Sequence, residues 1–189
     1  MGGVRGGWST FFLHPHLTSP IKGEEVVVRN SLSIKFITFT IMNKDTNFKR
    51  YLKLDLLPTP WCPGCGNGIV LKTICQAFDE LNLPKNGTVV ISGIGCAGRS
   101  AGFFDLDSVH TAHGRAIPVA EGIKYANDAL NVVVVSGDGD LLGIGGNHLL
   151  HAIRRNTNIT VICYANEIYG MTGGQVSPTT PHGTKTLTT

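Results

Sequence analysis

An α/β fold built on an open parallel sheet is what this 189-residue sequence predicts, on three observations. Short apolar runs recur at Thr88-Val-Val-Ile91, Val132-Val-Val-Val135 and Ile159-Thr-Val-Ile-Cys163, each the length of a strand buried on both faces. Between them, apolar residues fall at helical spacing. Each run ends in a loop carrying Gly, Asp, Cys or Asn, and in sheets of this kind ligands bind outside the carboxyl ends of the strands.

Taken in order, residues 1–41 mix Gly, His and Pro with one β-prone run, Ser33 to Ile41, and show no amphipathic period. They read as a flexible extension or start-site artefact, with Met42 as the biological start of a domain over 42–189. Phe11-Phe12-Leu13 is too short for a signal-peptide core, and His14-Pro15-His16 interrupts it. Ile69, Val70, Ile74, Ala77, Phe78 and Leu81 predict a first helix. Ile117, Ala120, Ile123 and Ala126 predict a second, and Leu149, Leu150 and Ile153 a third. From Gln175 to Thr189 the chain is polar and rich in Thr and Pro, with no helix to cover the last strand. A three-stranded sheet is a small core, so the expectation is a domain whose C-terminal part is missing.

Composition narrows the function classes. Hydrophobic residues make up 42% and charged residues 15%, a balance that supports a buried core and excludes wholesale disorder. The longest unbroken apolar run is Val132 to Val135, far short of the roughly 18 residues of a membrane span, so no membrane association is expected. The net charge of +3 resides in the first 50 residues, which hold seven Lys/Arg against three acidic groups. The remainder carries nine basic and ten acidic groups and offers nucleic acid no basic face. Five cysteines without a secretory signal point to a reduced cytoplasmic setting, where clustered thiols bind metal or do redox work.

Three motifs carry chemistry. Cys62-Pro-Gly-Cys65 places two thiolates three positions apart, able to grip one metal or cluster, and Cys96 in Gly93-Ile-Gly-Cys96 is the best-placed third ligand. No strand precedes the pair, which argues against a thioredoxin-like site; Cys75 and Cys163 read as core residues. Gly93-x-Gly95-x-x-Gly98 follows a strand and matches the dinucleotide fingerprint. No helical period follows it, however, and no strand ending in an acid lies about twenty residues on, so it reads as a glycine turn serving something else. Gly137-Asp138-Gly139-Asp140 follows a strand, and Asn166 lies 28 residues beyond Asp138 at the end of the next. A carboxylate and an amide oxygen on neighbouring strand ends suit a hard dication such as Mg²⁺ bridging a diphosphate. An Asp-rich turn alone is more often an ordinary turn.

The sequence Gly137-Asp-Gly139, a gap, then Ala165-Asn166 resembles the thiamine-diphosphate motif. Together with Trp61-Cys-Pro-Gly-Cys-Gly66, Ser92-Gly-Ile-Gly-Cys96, His110-Thr-Ala-His-Gly-Arg115, Gly145-Gly-Asn-His148, Ile168-Tyr-Gly-Met-Thr172 and Ser177-Pro-Thr-Thr-Pro181, it resembles the β subunit of 2-oxoacid:ferredoxin oxidoreductases, closest to the 2-oxoglutarate branch. The likeness runs from about Met42 to Thr189. It implies the diphosphate-binding domain of a thiamine enzyme that oxidatively decarboxylates a 2-oxoacid with coenzyme A, passing electrons through a [4Fe–4S] cluster to ferredoxin beside an α subunit. The Mg²⁺ ligands it implies are Asp138, Asn166 and the Ile168 carbonyl. Thiamine diphosphate would meet Ile94, Gly95, Cys96, Ala97, Arg115, Gly139, Asp140, Gly170 and Met171. Cys62, Cys65 and Cys96 match three cluster ligands, and the fourth falls beyond Thr189. Arg99 stands where the family keeps a basic residue for the substrate carboxylate, the competing reading being a solvated surface arginine. His113 is expected to take a cofactor-side hydrogen-bonding role, the competing reading being a satisfied structural histidine, and His110 is expected to be a loop histidine. Ala165 replaces the first Asn of the family's pair, which is not the metal ligand. The family's cofactor-activating glutamate comes from the α subunit. A pyruvate- or indolepyruvate-specific relative, or a non-enzymatic cluster or zinc module, are the alternatives.

Overall fold

The computed structural model describes residues 46–189, together with the backbone of three strands: β1 (Ser9–Leu13), β2 (Glu25–Asn30) and β3 (Ser33–Thr38). β2 and β3 pair as an antiparallel hairpin, and β1 pairs parallel to β7. The rest of 1–41, on which the reading as an added extension mostly falls, lies outside the described residues.

Helix α1 (Asn67–Glu80) leads into β4 (Thr88–Ser92), a 3₁₀ turn over Ala97–Phe103 and β5 (Asp107–His110). Next come α2 (Ala116–Ala126), β6 (Asn131–Gly137), a π turn over Gly139–Ile144, α3 (Gly146–Arg155) and β7 (Thr160–Tyr164). A small hairpin of β8 (Ile168–Tyr169) and β9 (Gln175–Val176) closes the series. The main sheet is wholly parallel, ordered β1-β7-β6-β4-β5.

The three apolar runs are the three inner strands, as the sequence predicts. The three-strand expectation is nevertheless corrected: β5 adds a strand on one edge of the sheet and β1 on the other. β5 reads Asp-Ser-Val-His because an edge strand pairs on one side and leaves polar residues in solvent, so it carries no apolar run. His110 therefore ends a strand rather than sitting in a loop, its Nδ1 2.9 Å from Ser92 Oγ.

Period-2 alternation sends the valines of β6 into two cores. Val133 and Val135 face Leu71, Ile74, Phe78 and Tyr51 on the α1 side; Val132 and Val134 face Ile117, Ala120, Leu149 and Ala152 under α2 and α3. Burying each valine contributes about 1.5–3 kcal/mol, which is why the inner strands need no polar face. Cys75 and Cys163 are core residues, and burial pushes both thiols up to about 12. The apolar helical stripes are narrower than the sequence suggests: Ile69, Leu81, Leu150 and Ile153 are all exposed. Pro118 sits in the first turn of α2, where its missing N–H costs nothing, and α3 stops at Asn156 in the left-handed conformation.

α2 is clamped to the end of α3 by a buried acid. Arg155 Nε donates to Glu121 Oε1 at 3.0 Å, its Nη2 donates to Oε2, and Thr157 Oγ1 donates to Oε1 at 2.5 Å. Burial opposes ionisation of Glu121, but the hydrogen bonds from Arg155 and Thr157 outweigh it and hold the carboxyl below the ordinary glutamate value of 4.5. A depressed folded-state value stabilises the fold above pH 4.5, and that contribution is lost as pH falls through the lower value. Glu121→Gln is therefore expected to lower the melting temperature at neutral pH. The gap from wild type should close on acidification, as followed by circular dichroism.

Candidate active site

The carboxyl ends of β4, β6 and β7 and the loop after β5 meet at one cleft, as the topology of a parallel sheet requires. Into its wall go Ile94, Gly95, Cys96, Ala97, His113, Asp138, Gly139, Asp140, Asn166, Ile168, Gly170 and Met171, all singled out from sequence. Its enclosed volume is about 70 Å³, against roughly 300–1,000 Å³ for a complete small-molecule pocket. A wider apolar cavity of about 300 Å³ opens between α1 and the opposite ends of β6 and β7, away from these groups.

Asp138 is 1% exposed, and no basic side chain pairs with it among the described residues. Its Oδ2 accepts from Ser177 Oγ at 2.5 Å and from Thr179 Oγ1. Its Oδ1 lies 2.8 Å from the end of the Asn166 amide, which is also 3.0 Å from the Ile168 carbonyl oxygen. With its NH₂ at that position, Asn166 donates to both. With its oxygen there, three acceptors converge, and only a cation between them stabilises the arrangement. Oxygen ligands at 2.0–2.1 Å around an octahedral Mg²⁺ stand about 2.9 Å apart along an edge, so the set fits that ion. Among the described residues, the carboxylates lining the cleft are Asp138 and Asp140, so a diphosphate would enter against like charge without such a cation.

The family model "Thiamine pyrophosphate enzyme, C-terminal TPP binding domain" matches residues 93–189. The chain belongs to this family. It is similar to the KorB subunit of 2-oxoglutarate synthase from Methanocaldococcus jannaschii, 54% identical over 139 residues, or 74% of this chain and 52% of that one. It is also similar to the β subunit of 2-oxoacid:ferredoxin oxidoreductase from Saccharolobus solfataricus, 52% identical over 67% of this chain and 42% of the relative. Among solved structures, the 2-oxoglutarate:ferredoxin oxidoreductase from Magnetococcus marinus, with 2-oxoglutarate, coenzyme A and succinyl-CoA bound, superposes with a TM-score of 0.71 at 42% identity. That match covers 76% of this chain and 48% of that one. The chain spans about half the length of the curated relatives it matches. The resemblance to 2-oxoacid:ferredoxin oxidoreductase β subunits read from the motifs is borne out.

Within this thiamine-pyrophosphate-binding domain, Asp140 is the most heavily hydrogen-bonded side chain of the cleft. Oδ1 accepts from Ile94 N at 3.1 Å, Gly114 N at 2.7 Å and His113 Nδ1 at 2.5 Å; Oδ2 accepts from Ser136 Oγ at 2.9 Å. Both oxygens thus face protein donors, so a ligand would meet this residue chiefly through its backbone. The glycine fingerprint serves the same purpose: a Cβ on Gly93 would lie 2.0 Å from Asp140 Oδ2, and one on Gly98 would lie 2.4 Å from the Gly93 carbonyl oxygen.

Arg99 and Arg115 are both exposed and do not line the cleft; Arg115 Nη1 donates to the His113 carbonyl at 3.3 Å. Cys62 and Cys65 flank an exposed turn, with Cys65 N donating to Cys62 O at 3.0 Å and Gly64 between them at φ +81°. Trp61 Nε1 ties this turn to the Cys96 carbonyl at 2.8 Å. Burial raises the Cys96 thiol, and the neighbouring Cys65 and Cys62 raise it further, as thiols sharing one neighbourhood do. Even so, among the described residues no three His, Cys, Asp or Glu side chains converge as a metal centre, so the expected three-cysteine grip is not assembled.

Sequence reasoning missed Ser177 and Thr179 on Asp138, Ser136 on Asp140, and Tyr169, whose hydroxyl donates to the Gly139 carbonyl at 2.9 Å. The Ser177-Pro-Thr-Thr-Pro181 motif was the available signal for the first two. It missed Asn67 as well, buried two residues after Cys65 with neither side-chain atom hydrogen-bonded.

Gly93→Ala is expected to displace the Asp140 carboxylate and cost about 2–3 kcal/mol. Gly102→Ala, with nothing within 4 Å of the added carbon, should stay within about 0.5 kcal/mol. Urea denaturation of the two variants checks the contrast.

Proposed function

We propose that this chain forms the thiamine-diphosphate-binding part of the β subunit of a coenzyme-A-dependent 2-oxoacid:ferredoxin oxidoreductase, with 2-oxoglutarate as substrate and an α subunit and ferredoxin as partners. The observation that carries the reading is the convergence of Asp138 Oδ1, the Asn166 amide and the Ile168 carbonyl at the mouth of a parallel sheet. Asp138, Asn166 and Ile168 would hold Mg²⁺, and the ion would tie down the diphosphate. Thiamine diphosphate, when bound, supplies the carbanion that adds to a keto carbon and the electron sink for decarboxylation.

The chain's own residues do the rest. Ser177 and Thr179 occupy Asp138 Oδ2 and turn Oδ1 toward the metal position. Ile94 to Ala97, Gly139, Gly170 and Met171 wall the diphosphate cleft, and Arg115 borders it through the His113 loop. Arg99, exposed on the 3₁₀ turn after Cys96, is free to meet the substrate carboxylate with a bidentate guanidinium fork. Cys62, Cys65 and Cys96 would supply thiolates for a [4Fe–4S] cluster that would carry electrons outward; the Trp61 hydrogen bond that ties the Cys62–Cys65 turn to the Cys96 carbonyl supports this assignment. A cytoplasmic location is in keeping with five unpaired cysteines, and no helix among the described residues is long and apolar enough to cross a membrane. Residues 42–189 would form the motif-bearing domain, to whose sheet β1 from the segment 1–41 adds an edge strand.

Asp138→Ala should abolish Mg²⁺-dependent binding of thiamine diphosphate, measured by calorimetry; unchanged binding sinks the assignment. Substrate choice is read from viologen reduction by the subunit assembled with its α partner, offering 2-oxoglutarate, pyruvate or indolepyruvate with coenzyme A. The largest kcat/KM is expected for 2-oxoglutarate, and a strong preference for pyruvate or indolepyruvate removes that claim.

A further inference from the structure

We infer that Asp140 is a positioning residue that locks His113 as its Nδ1–H tautomer, so that the imidazole presents the Nε2 lone pair to the cleft as an acceptor for an O–H or N–H of a bound molecule. The inference deepens the reading of this cleft as a cofactor and substrate site.

The tautomer follows from counting donors. The backbone N–H groups of Ile94 and Gly114 can only donate, and both donate to Asp140 Oδ1, at 3.1 and 2.7 Å. An oxygen already receiving two protons carries none of its own, so the hydrogen in its 2.5 Å bond to His113 belongs to Nδ1. A proton on Oδ2 would point to Ser136 Oγ, 2.9 Å away, and would not alter this assignment.

Orientation is fixed as firmly. The Asp140 side chain is 1% exposed, whereas His113 is 32% exposed and lines the cleft, so Nε2 is on the open side of the ring. Tyr169 packs edge-on against the imidazole, with centroids 6.2 Å apart and planes at 67°, and is anchored by its hydroxyl on the Gly139 carbonyl. Gly114 at φ +72° lets the residue after His113 turn its N–H onto the same oxygen. Gly93 leaves space for Oδ2 that any Cβ would fill.

This is the logic of an oriented base. If the bound group gives up its proton, its O–H or N–H bond breaks and an N–H bond forms at Nε2. The electron pair stays on the bound molecule, and Asp140 stabilises the imidazolium. Return of the proton reverses each change.

The test is a long-range ¹H–¹⁵N correlation on the full chain with ¹⁵N-labelled histidine, read from the singly protonated ring. His113 should show the protonated-nitrogen shift at Nδ1 and the bare-nitrogen shift at Nε2; the opposite pattern overturns the proposal. Asp140→Asn keeps an oxygen for Ile94, Gly114 and His113 and should retain the pattern, while Asp140→Ala should let it average between tautomers. An unchanged lock in a folded Asp140→Ala variant also overturns it. Should that variant fail to fold, the wild-type and Asp140→Asn spectra decide alone. The spectra require neither cofactor nor substrate, so failure of the proposed activity and failure of this lock are separate results.

Discussion

One buried carboxylate holds the site together. Asp140 gathers the loop after β4 through Ile94, the loop after β5 through His113 and Gly114, and the end of β6 through Ser136. A carboxyl group removed from water is tolerated only where hydrogen bonds replace its hydration, and four donors do so here. The glycines around it follow from that demand. Gly93 gives room to the carboxylate, and Gly145 lets the chain pass the Asp140 carbonyl, where a Cβ would come within 2.6 Å of that oxygen. What reads as a dinucleotide fingerprint is in this fold a socket for an aspartate.

The sheet supplies the rigidity that such a socket needs. Its inner strands are apolar on both faces and stack valines into two separate cores, so their carboxyl ends cannot shift without opening one core or the other. Polar chemistry gathers at the last residues of the inner strands and in the loops beyond them, where backbone N–H groups leave the ladder. The π turn that starts right after Asp138 belongs to this pattern, since wide helical turns frequently mark functional sites.

Asp138 and Asp140, two residues apart, have opposite surroundings. Asp140 meets N–H and O–H donors at both oxygens and is satisfied within the protein. Asp138 is satisfied at one oxygen by Ser177 and Thr179, while the other faces the Asn166 amide and the Ile168 carbonyl. That contrast separates a residue that organises the cleft from one placed to hold a cation. It also fits a family whose ligand carries a diphosphate, because a cleft walled by carboxylates admits such an anion only with a metal between them.

Much of this was legible in the residue order. Runs of Val and Ile predict strands buried on both faces, and apolar residues at helical spacing predict α1, α2 and α3; both are local consequences of burial. The Gly137–Asp140 turn with Asn166 and the cysteine motif identify the family and nearly every residue of the cleft wall, because motif spacing records which strand ends must meet. The tertiary structure decided what depends on neighbours distant in sequence. An edge position turned the polar segment 107–110 into β5, and packing exposed Ile69, Leu81, Leu150 and Ile153 despite their helical phase. The partners of Asp138 and Asp140, up to 41 and 46 residues away, emerge only when the loops converge. Hydrogen-bond geometry is a property of three-dimensional approach, and no periodicity in the chain encodes it.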